Sequence, residues 1–260
     1  MFSCHTTRNG YLKGYLLCSL LWLTTFSTGF AEDTIGPSPQ SQEVSVSGQG
    51  ASGLPDGAVE YNKGVELFQI AQIQNEKGNS SGQKKLLKEA IHQFEAALKI
   101  NPKLVEAQSN IGFAYLTLRD YRQSIRAFEK ALGINPNHLN TLNGLSTAYA
   151  FDKKTDQAIE TFNKLTRLDP GNSQYFFNKG SVLQKAGRLQ EAEQTYLQAL
   201  KIKPNDQRVL FNLGTLYENQ GKLEQAKPYY EKAKGVEIGN SIGLEAIRRL
   251  ENINAALKQP

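Results

Sequence analysis

Residues 110–136 read NIGFAYLTLRDYRQSIRAFEKALGINP, and the same arrangement returns along the chain at a step of 34 residues. Proline stands at 102, 136, 170 and 204. In a chain of 260 residues with 9 prolines, that spacing arises by chance only about 4 times in 100,000. Small residues keep the same step at Ala90, Ser124, Ala158, Ala192 and Ala226. Four positions later come Phe94, Phe128, Phe162, Tyr196 and Tyr230, and three beyond those Ala97, Ala131, Leu165, Ala199 and Ala233. An aliphatic column follows at Ile100, Ile134, Leu168, Ile202 and Val236. Upstream, Gly112, Ser146, Gly180 and Gly214 align, and with them Tyr115, Tyr149, Leu183 and Tyr217.

These columns have physical causes. Offsets of four and three put Ala90, Phe94 and Ala97 on one face of a helix. Small side chains there admit a neighbouring helix, and the aromatic ring fills the space between. A glycine inside a helix, such as Gly112, costs about 1 kcal/mol relative to alanine. Its return at this column points to close contact between helices. Proline cannot continue a helix, so each one closes a unit.

Together these residues resemble the tetratricopeptide repeat (TPR) family, which has Leu-Gly-x-x-Tyr on one helix and Ala-x-x-x-Phe with a terminal Pro on the next. Ile111-Gly112-x-x-Tyr115 and Leu213-Gly214-x-x-Tyr217 match the first part, and every unit matches the small-x-x-x-aromatic part. The resemblance implies an all-α fold: a right-handed α-solenoid of about five helix pairs, lined on its concave side by the first helix of each. Units are expected at 57–104, 105–138, 139–172, 173–206 and 207–240. A capping helix and tail are expected at 241–260, where Ile247, Leu250, Ile253 and Leu257 share an apolar side and Arg248, Arg249, Glu251 and Lys258 lie opposite.

Three units depart from the pattern. Gly64 precedes Ala90 by 26 residues, whereas Gly112 precedes Ser124 by 12, which leaves 14 extra residues in the first unit. A lengthened first helix, Ala58 to about Glu76, and a loop around residues 78–82 are expected there. The third unit has Ser146 in the glycine column and Lys153-Lys154 in its turn. The fifth has Ile238 in place of proline, and Pro228 near the start of its second helix, where a first turn tolerates it.

Ahead of the repeats, Arg8 and Lys13 precede a twelve-residue, mostly apolar run, Tyr15 to Phe26, and then the small residues Gly29 and Ala31. That is the layout of a secretory signal peptide, residues 1–31, with cleavage expected after Ala31. A helix of that run is about 18 Å long against roughly 30 Å of hydrocarbon, so an uncleaved anchor is the lesser reading. Leu17 before Cys18 does not fit a lipidation site. Residues 32–56, rich in Pro, Ser, Gly and Gln, read as a disordered linker. The expected destination is the periplasm or the exterior.

Composition narrows the chemistry. The chain carries 30 basic and 25 acidic residues, a net +5, too even for a nucleic-acid binder. Both cysteines, Cys4 and Cys18, lie in the leader, so the remainder has no thiol for disulfides, metal or nucleophilic catalysis. His92 and His138 read as surface residues, and no glycine-rich phosphate loop occurs. No catalytic residue, metal or cofactor, and no small-molecule substrate, is expected.

The binding candidates lie on the first helices. Asn62, Asn110, Asn178 and Asn212 sit two residues before the glycine column, and Asn143 stands one residue early beside Gly144. In TPR proteins such asparagines form a ladder inside the groove, where an amide can pair with both the C=O and N–H of an extended peptide. Phe177 and Phe211 precede two of them, Phe113 follows the glycine column, and Phe151 lies one turn beyond. These rings have two readings: a groove lining, or packing between adjacent units. The resemblance also disfavours an acidic carboxyl-terminal ligand, because Lys63, Lys179, Lys185 and Arg208 do not reproduce the family's clamp for one. The expected function is a non-catalytic scaffold or adaptor holding an extended segment of an envelope or secreted protein, with no nucleic-acid partner and membrane contact only through an uncleaved leader. Alternatives are a self-associating spacer and a regulatory subunit of an envelope enzyme or assembly machine.

Overall fold

A computed structural model describes residues 56–236 and 239–258. The expected signal peptide, the linker before Asp56, and Ile238 lie outside the described residues. The described chain is helical, with eleven helices and no strand among these residues. They form α1 (Ala58–Glu76) with α2 (Ser80–Ile100), α3 (Val105–Thr117) with α4 (Tyr121–Ile134), and α5 (Leu139–Phe151) with α6 (Thr155–Leu168). Then come α7 (Ser173–Lys185) with α8 (Leu189–Ile202), α9 (Gln207–Glu218) with α10 (Leu223–Val236), and finally α11 (Ser241–Ala256).

The helices lie in two layers. Each second helix packs on its own first helix and on the first helix of the next unit. First helices also touch one another: α3 meets α1 and α5, and α9 meets α7 and α11. The even-numbered helices α2 to α10 thus form an outer layer bridging the gaps of an inner layer. This is an all-α repeat solenoid.

The small and aromatic columns form the seam between layers. Ala90, Phe94 and Ala97 are completely buried, and so are all their counterparts through Ala226, Tyr230 and Ala233. Outside the third unit, the ring of each second helix lies against the glycine of its first helix. A Cβ added at Gly112 would fall 2.6 Å from the Phe128 ring, at Gly180 2.6 Å from Tyr196, and at Gly214 2.8 Å from Tyr230. The Ser124 hydroxyl donates to the Gly112 carbonyl at 2.8 Å, tying the helices where they approach most closely. In the third unit, buried Ser146 turns its hydroxyl back onto the Leu142 carbonyl, and Gly144, two residues earlier, makes room for Phe128 of the preceding unit. The aliphatic column is different. Ile100, Ile134, Leu168, Ile202 and Val236 are all exposed at the ends of the second helices.

Three local expectations need correction. The extra residues of the first unit do not make a longer loop. Its turn is residues 77–79, and Ser80 to Gly82 begin α2, capped by the Asn79 side chain, which accepts from the Gly82 N–H at 2.9 Å. Relative to the second unit, α1 gains seven residues after its glycine and α2 seven before its small residue. Seven residues are nearly two whole turns, so both helices lengthen by about 10 Å without rotating their buried faces. Second, Pro228 is the sixth residue of α10, past the first turn. It leaves the Glu224 carbonyl without its helical donor, and burial of Ala226, Tyr230 and Ala233 holds the helix through it. Third, α11 buries Gly243, Ala246, Leu250 and Ile253, while Ile247 and Leu257 remain exposed together with Leu244. It packs on α10 and α9 as a further first helix would.

The turns within units use a left-handed residue, Gly187 and Gly221 in two of them. Arg119 and Lys153 adopt the same conformation, each at φ 61°, a strained choice for a side chain with a Cβ. Tyrosines link the layers at the other end of the seam. Tyr149 donates to Glu129 at 2.9 Å, Tyr217 to Glu193 at 2.5 Å, and Tyr230 to Glu218 at 2.6 Å. Burial first, and then the bonded carboxylate, pushes the Tyr149 phenol up to about 12. Burial alone drives Tyr196 to about 12, against the opposing effect of its bonds with Ser181 and Asn212. Tyr217 and Tyr230 are raised for the same reasons as Tyr149.

Gly112→Val, which drives a branched side chain into the Phe128 ring, is expected to lower unfolding free energy by about 2–3 kcal/mol, read as a lower urea midpoint by far-UV circular dichroism. The raised phenols bind their protons more tightly in the folded state than in the unfolded one. Their contribution is therefore complete below the ordinary tyrosine pKa near 10 and is lost as pH climbs through the folded values. Alkaline titration at 295 nm should show part of the tyrosinate forming only towards pH 12, together with loss of helix. Complete ionisation near pH 10 with the helices intact would contradict the pairing.

Candidate functional site

The inner layer carries the asparagine column, and four residues before it runs a second polar column: Glu106, Asn140, Gln174 and Arg208. One helical turn separates the two, so they share a face. The structure joins them into a chain. Buried Asp206 caps α9 and holds the Arg208 guanidinium at 3.1 Å. Arg208 donates to Gln174 Oε1 at 2.8 Å, and Gln174 Nε2 donates to Asn178 Oδ1 at 2.7 Å. Asn178 Nδ2 then reaches Asn143 Oδ1 at 3.5 Å. The Arg208 guanidinium also lies over the face of Phe177, 4.8 Å from its centroid, a cation–π contact.

The five asparagines do not stand alike. Asn62 is exposed, while Asn178 is 3% exposed with its oxygen taken by Gln174. Its place in an open ladder is therefore corrected: it is an internal strut between α7 and α5. Asn110, Asn143 and Asn212 are half-buried, and each spends one half of its amide inside the protein. Asn110 donates through Nδ2 to Tyr61 at 3.3 Å, and Asn212 through Nδ2 to Tyr196 at 3.2 Å. Asn143 accepts through Oδ1. The carbonyl ends of Asn110 and Asn212 and the NH₂ end of Asn143 are left over. No buried side-chain polar atom lacks a partner among the described residues, so those unspent ends meet solvent.

The four phenylalanines resolve mostly into core. Phe177 is fully buried, and Phe113 and Phe211 are buried at 7% and 8% exposure. Phe113 meets Phe128 edge-on at 4.9 Å between centroids, and Phe211 meets Tyr230 at 5.4 Å. Their reading as groove lining is corrected to packing between layers, because the face that carries the asparagines also turns these neighbours towards the seam. Phe151 is half-buried at the end of α5 and stacks on Tyr121 at 5.4 Å, away from the asparagines. Among the cations, Arg208 is neutralised by Asp206, and burial pushes the half-buried Lys179 down.

Sequence reading missed the second polar column, although its step of 34 residues was there to be read. It also missed the hydroxyl relay across α3 and α5, in which His138 Nδ1 lies 2.6 Å from Thr141 Oγ1 and Thr141 donates to Ser109 at 3.0 Å. Among the described residues no group of three His, Cys, Asp or Glu side chains could hold a metal ion, and no helix is long and apolar enough to cross a membrane.

Comparison with known proteins places this arrangement. Family models of the tetratricopeptide repeat match residues 71–104, 103–171 and 169–234. No curated protein is matched significantly in sequence. Among solved structures the chain is similar to MamA from Desulfovibrio magneticus RS-1, with 17% identity over 69% of this chain and 98% of that one at a TM-score of 0.56. It is similar to TTC0263, a thermophilic TPR protein of Thermus thermophilus, with 21% identity over 74% and 99% of the two chains and a TM-score of 0.55. YrrB, a TPR protein with an unusual peptide-binding site, aligns at 20% identity over 74% and 96% of the chains, with a TM-score of 0.54. Matching along most of its helical length, in seam, spacing and fold, the chain belongs to the tetratricopeptide repeat family.

Proposed function

We propose that this protein is a non-catalytic adaptor which holds an extended peptide segment of an envelope or secreted protein against its inner layer. The fold makes it a protein-interaction scaffold, as tetratricopeptide repeats are in general. One observation supports the peptide reading: Asn110, Asn143 and Asn212 each have one amide end tethered internally and the other end unspent. Tethering removes most of the rotamer entropy that a surface amide would lose on capturing a ligand. Two outward carbonyls and one outward NH₂ suit the alternating donors and acceptors of an extended backbone. Recognition through backbone groups tolerates varied side chains. The peptide-binding site of the structurally similar YrrB accords with this use of the fold.

The leader, as read from its sequence, supports export. The folded array stands behind a Pro-, Ser- and Gly-rich stretch, and from Glu32 onward it carries no cysteine, which suits an oxidising compartment. In that setting an adaptor has no need of reactive groups of its own.

Two measurements test this reading. Peptides selected on the wild-type protein from a random display library should bind at least tenfold more weakly to a combined Asn110→Ala, Asn143→Ala, Asn212→Ala variant of unchanged helix content. Undiminished binding would remove the inner layer from recognition. Amino-terminal sequencing of the protein expressed with its leader in a Gram-negative host should start at Glu32. An intact Met1 on protein retained in the cytoplasm would end the export proposal.

A further inference from the structure

Between α2 and α4, above α3, the outer layer opens into a cleft of about 410 Å³. It lies on the layer away from the asparagines. Lys99 on α2 and Arg126 and Lys130 on α4 surround it with a single carboxylate, Glu95, so the cleft carries two positive charges in excess. None of these cations makes an ion pair or hydrogen bond among the described residues. The remaining polar lining is Gln108 and Tyr115 of α3 and Gln123 of α4. The Tyr115 hydroxyl has no hydrogen-bond partner among the described residues, whereas its counterparts Tyr149 and Tyr217 donate to Glu129 and Glu193.

The repeat supplies an internal comparison. One period on, between α4 and α6, Gly133 replaces Lys99 and Glu160 replaces Arg126. Lys164 replaces Lys130 there, but it is spent on the Pro136 carbonyl at 2.6 Å. A further period on, Gln194 and Gln198 stand in place of Arg126 and Lys130, with Arg167 for Lys99, and in the last period Pro228 takes the place of Arg126 between Lys201 and Lys232. Lysines at the outer positions thus recur, but the Arg126 guanidinium, and with it the meeting of three cations, is particular to the α2–α4 cleft. Apolar walls from Leu98, Ile111 and Ala127 lower the local dielectric and concentrate its field.

We propose that the α2–α4 cleft is a second binding site, which takes neighbouring carboxylates of an acidic peptide segment. The two excess charges match two carboxylates. Arg126 offers a planar fork to one of them, and Lys99 and Lys130 serve as point charges for the other. The Tyr115 hydroxyl and the Gln108 and Gln123 amides supply neutral donors. Binding here is independent of the inner layer, so a partner can be held on both layers at once, with an acidic segment outside and an extended one inside.

The full chain, titrated with acetyl-tetraglutamate amide and followed by ¹H–¹⁵N NMR, tests this. Saturable shifts are expected at the Gln108 and Gln123 side-chain amides. Affinity should fall at least tenfold on Arg126→Glu, with helix content unchanged, and weaken steeply between low and moderate salt. Glu160→Gln in the adjoining cleft should leave it unaltered, as should the three-asparagine variant. The proposal is overturned if no saturable shift occurs, if acetyl-tetraglutamine amide binds equally well, or if Arg126→Glu has no effect. Succinate binding as tightly as the peptide would make the site one for small dicarboxylates and would likewise overturn it.

Discussion

The array depends on one repeated contact: an aromatic ring of a second helix laid against backbone that bears no side chain. Phe94, Phe128, Tyr196 and Tyr230 lie where a Cβ on Gly64, Gly112, Gly180 or Gly214 would stand less than 3 Å from ring atoms. Glycine inside a helix is unfavourable by itself, and burial of a whole ring, on the order of 2–3 kcal/mol, offsets it. Once that distance between helices is set, the small residues at 90, 124, 158, 192 and 226 follow as the only ones that fit. The two layers and the exposed inner face follow in turn. The third unit departs from this contact: Ser146 stands in the usual column with its hydroxyl bonded to the Leu142 carbonyl, and Phe162 is still fully buried.

The fold was legible because its decisive contacts repeat, and a column read five times averages out local exceptions. What could not be read were features that occur once. Seven residues added to each of two antiparallel helices look in the sequence like one insertion of 14, and only the partner helix reveals the even division. Pro228 lies six residues into α10, held by burial of Tyr230 and its neighbours, a tertiary effect that outweighs local preference. The end helix departs from expectation at Ile247 and Leu257 because apolar spacing says which residues could be buried but not how many neighbours exist to bury them.

The inner face was legible in kind and not in detail. The asparagine column marked the right helices and the right face. Whether an amide there is strut or contact depends on residues one turn away or on the adjoining helix: Gln174 closes Asn178, whereas Tyr61 and Tyr196 leave Asn110 and Asn212 half open. Phe177 and Phe211 adjoin asparagines in sequence, but a helix turns about 100° per residue, and that rotation carries them into the seam.

Each second helix bridges only its own first helix and the next. Strain applied at one end therefore has no direct route to the other and must be shared among successive joints. A body linked in this way behaves like a spring of a few soft coils in series: a small opening at each joint adds up to a large change in span at little energy per coil. Such compliance allows one protein to conform to guests of unequal length, and to let them go gradually when it is pulled.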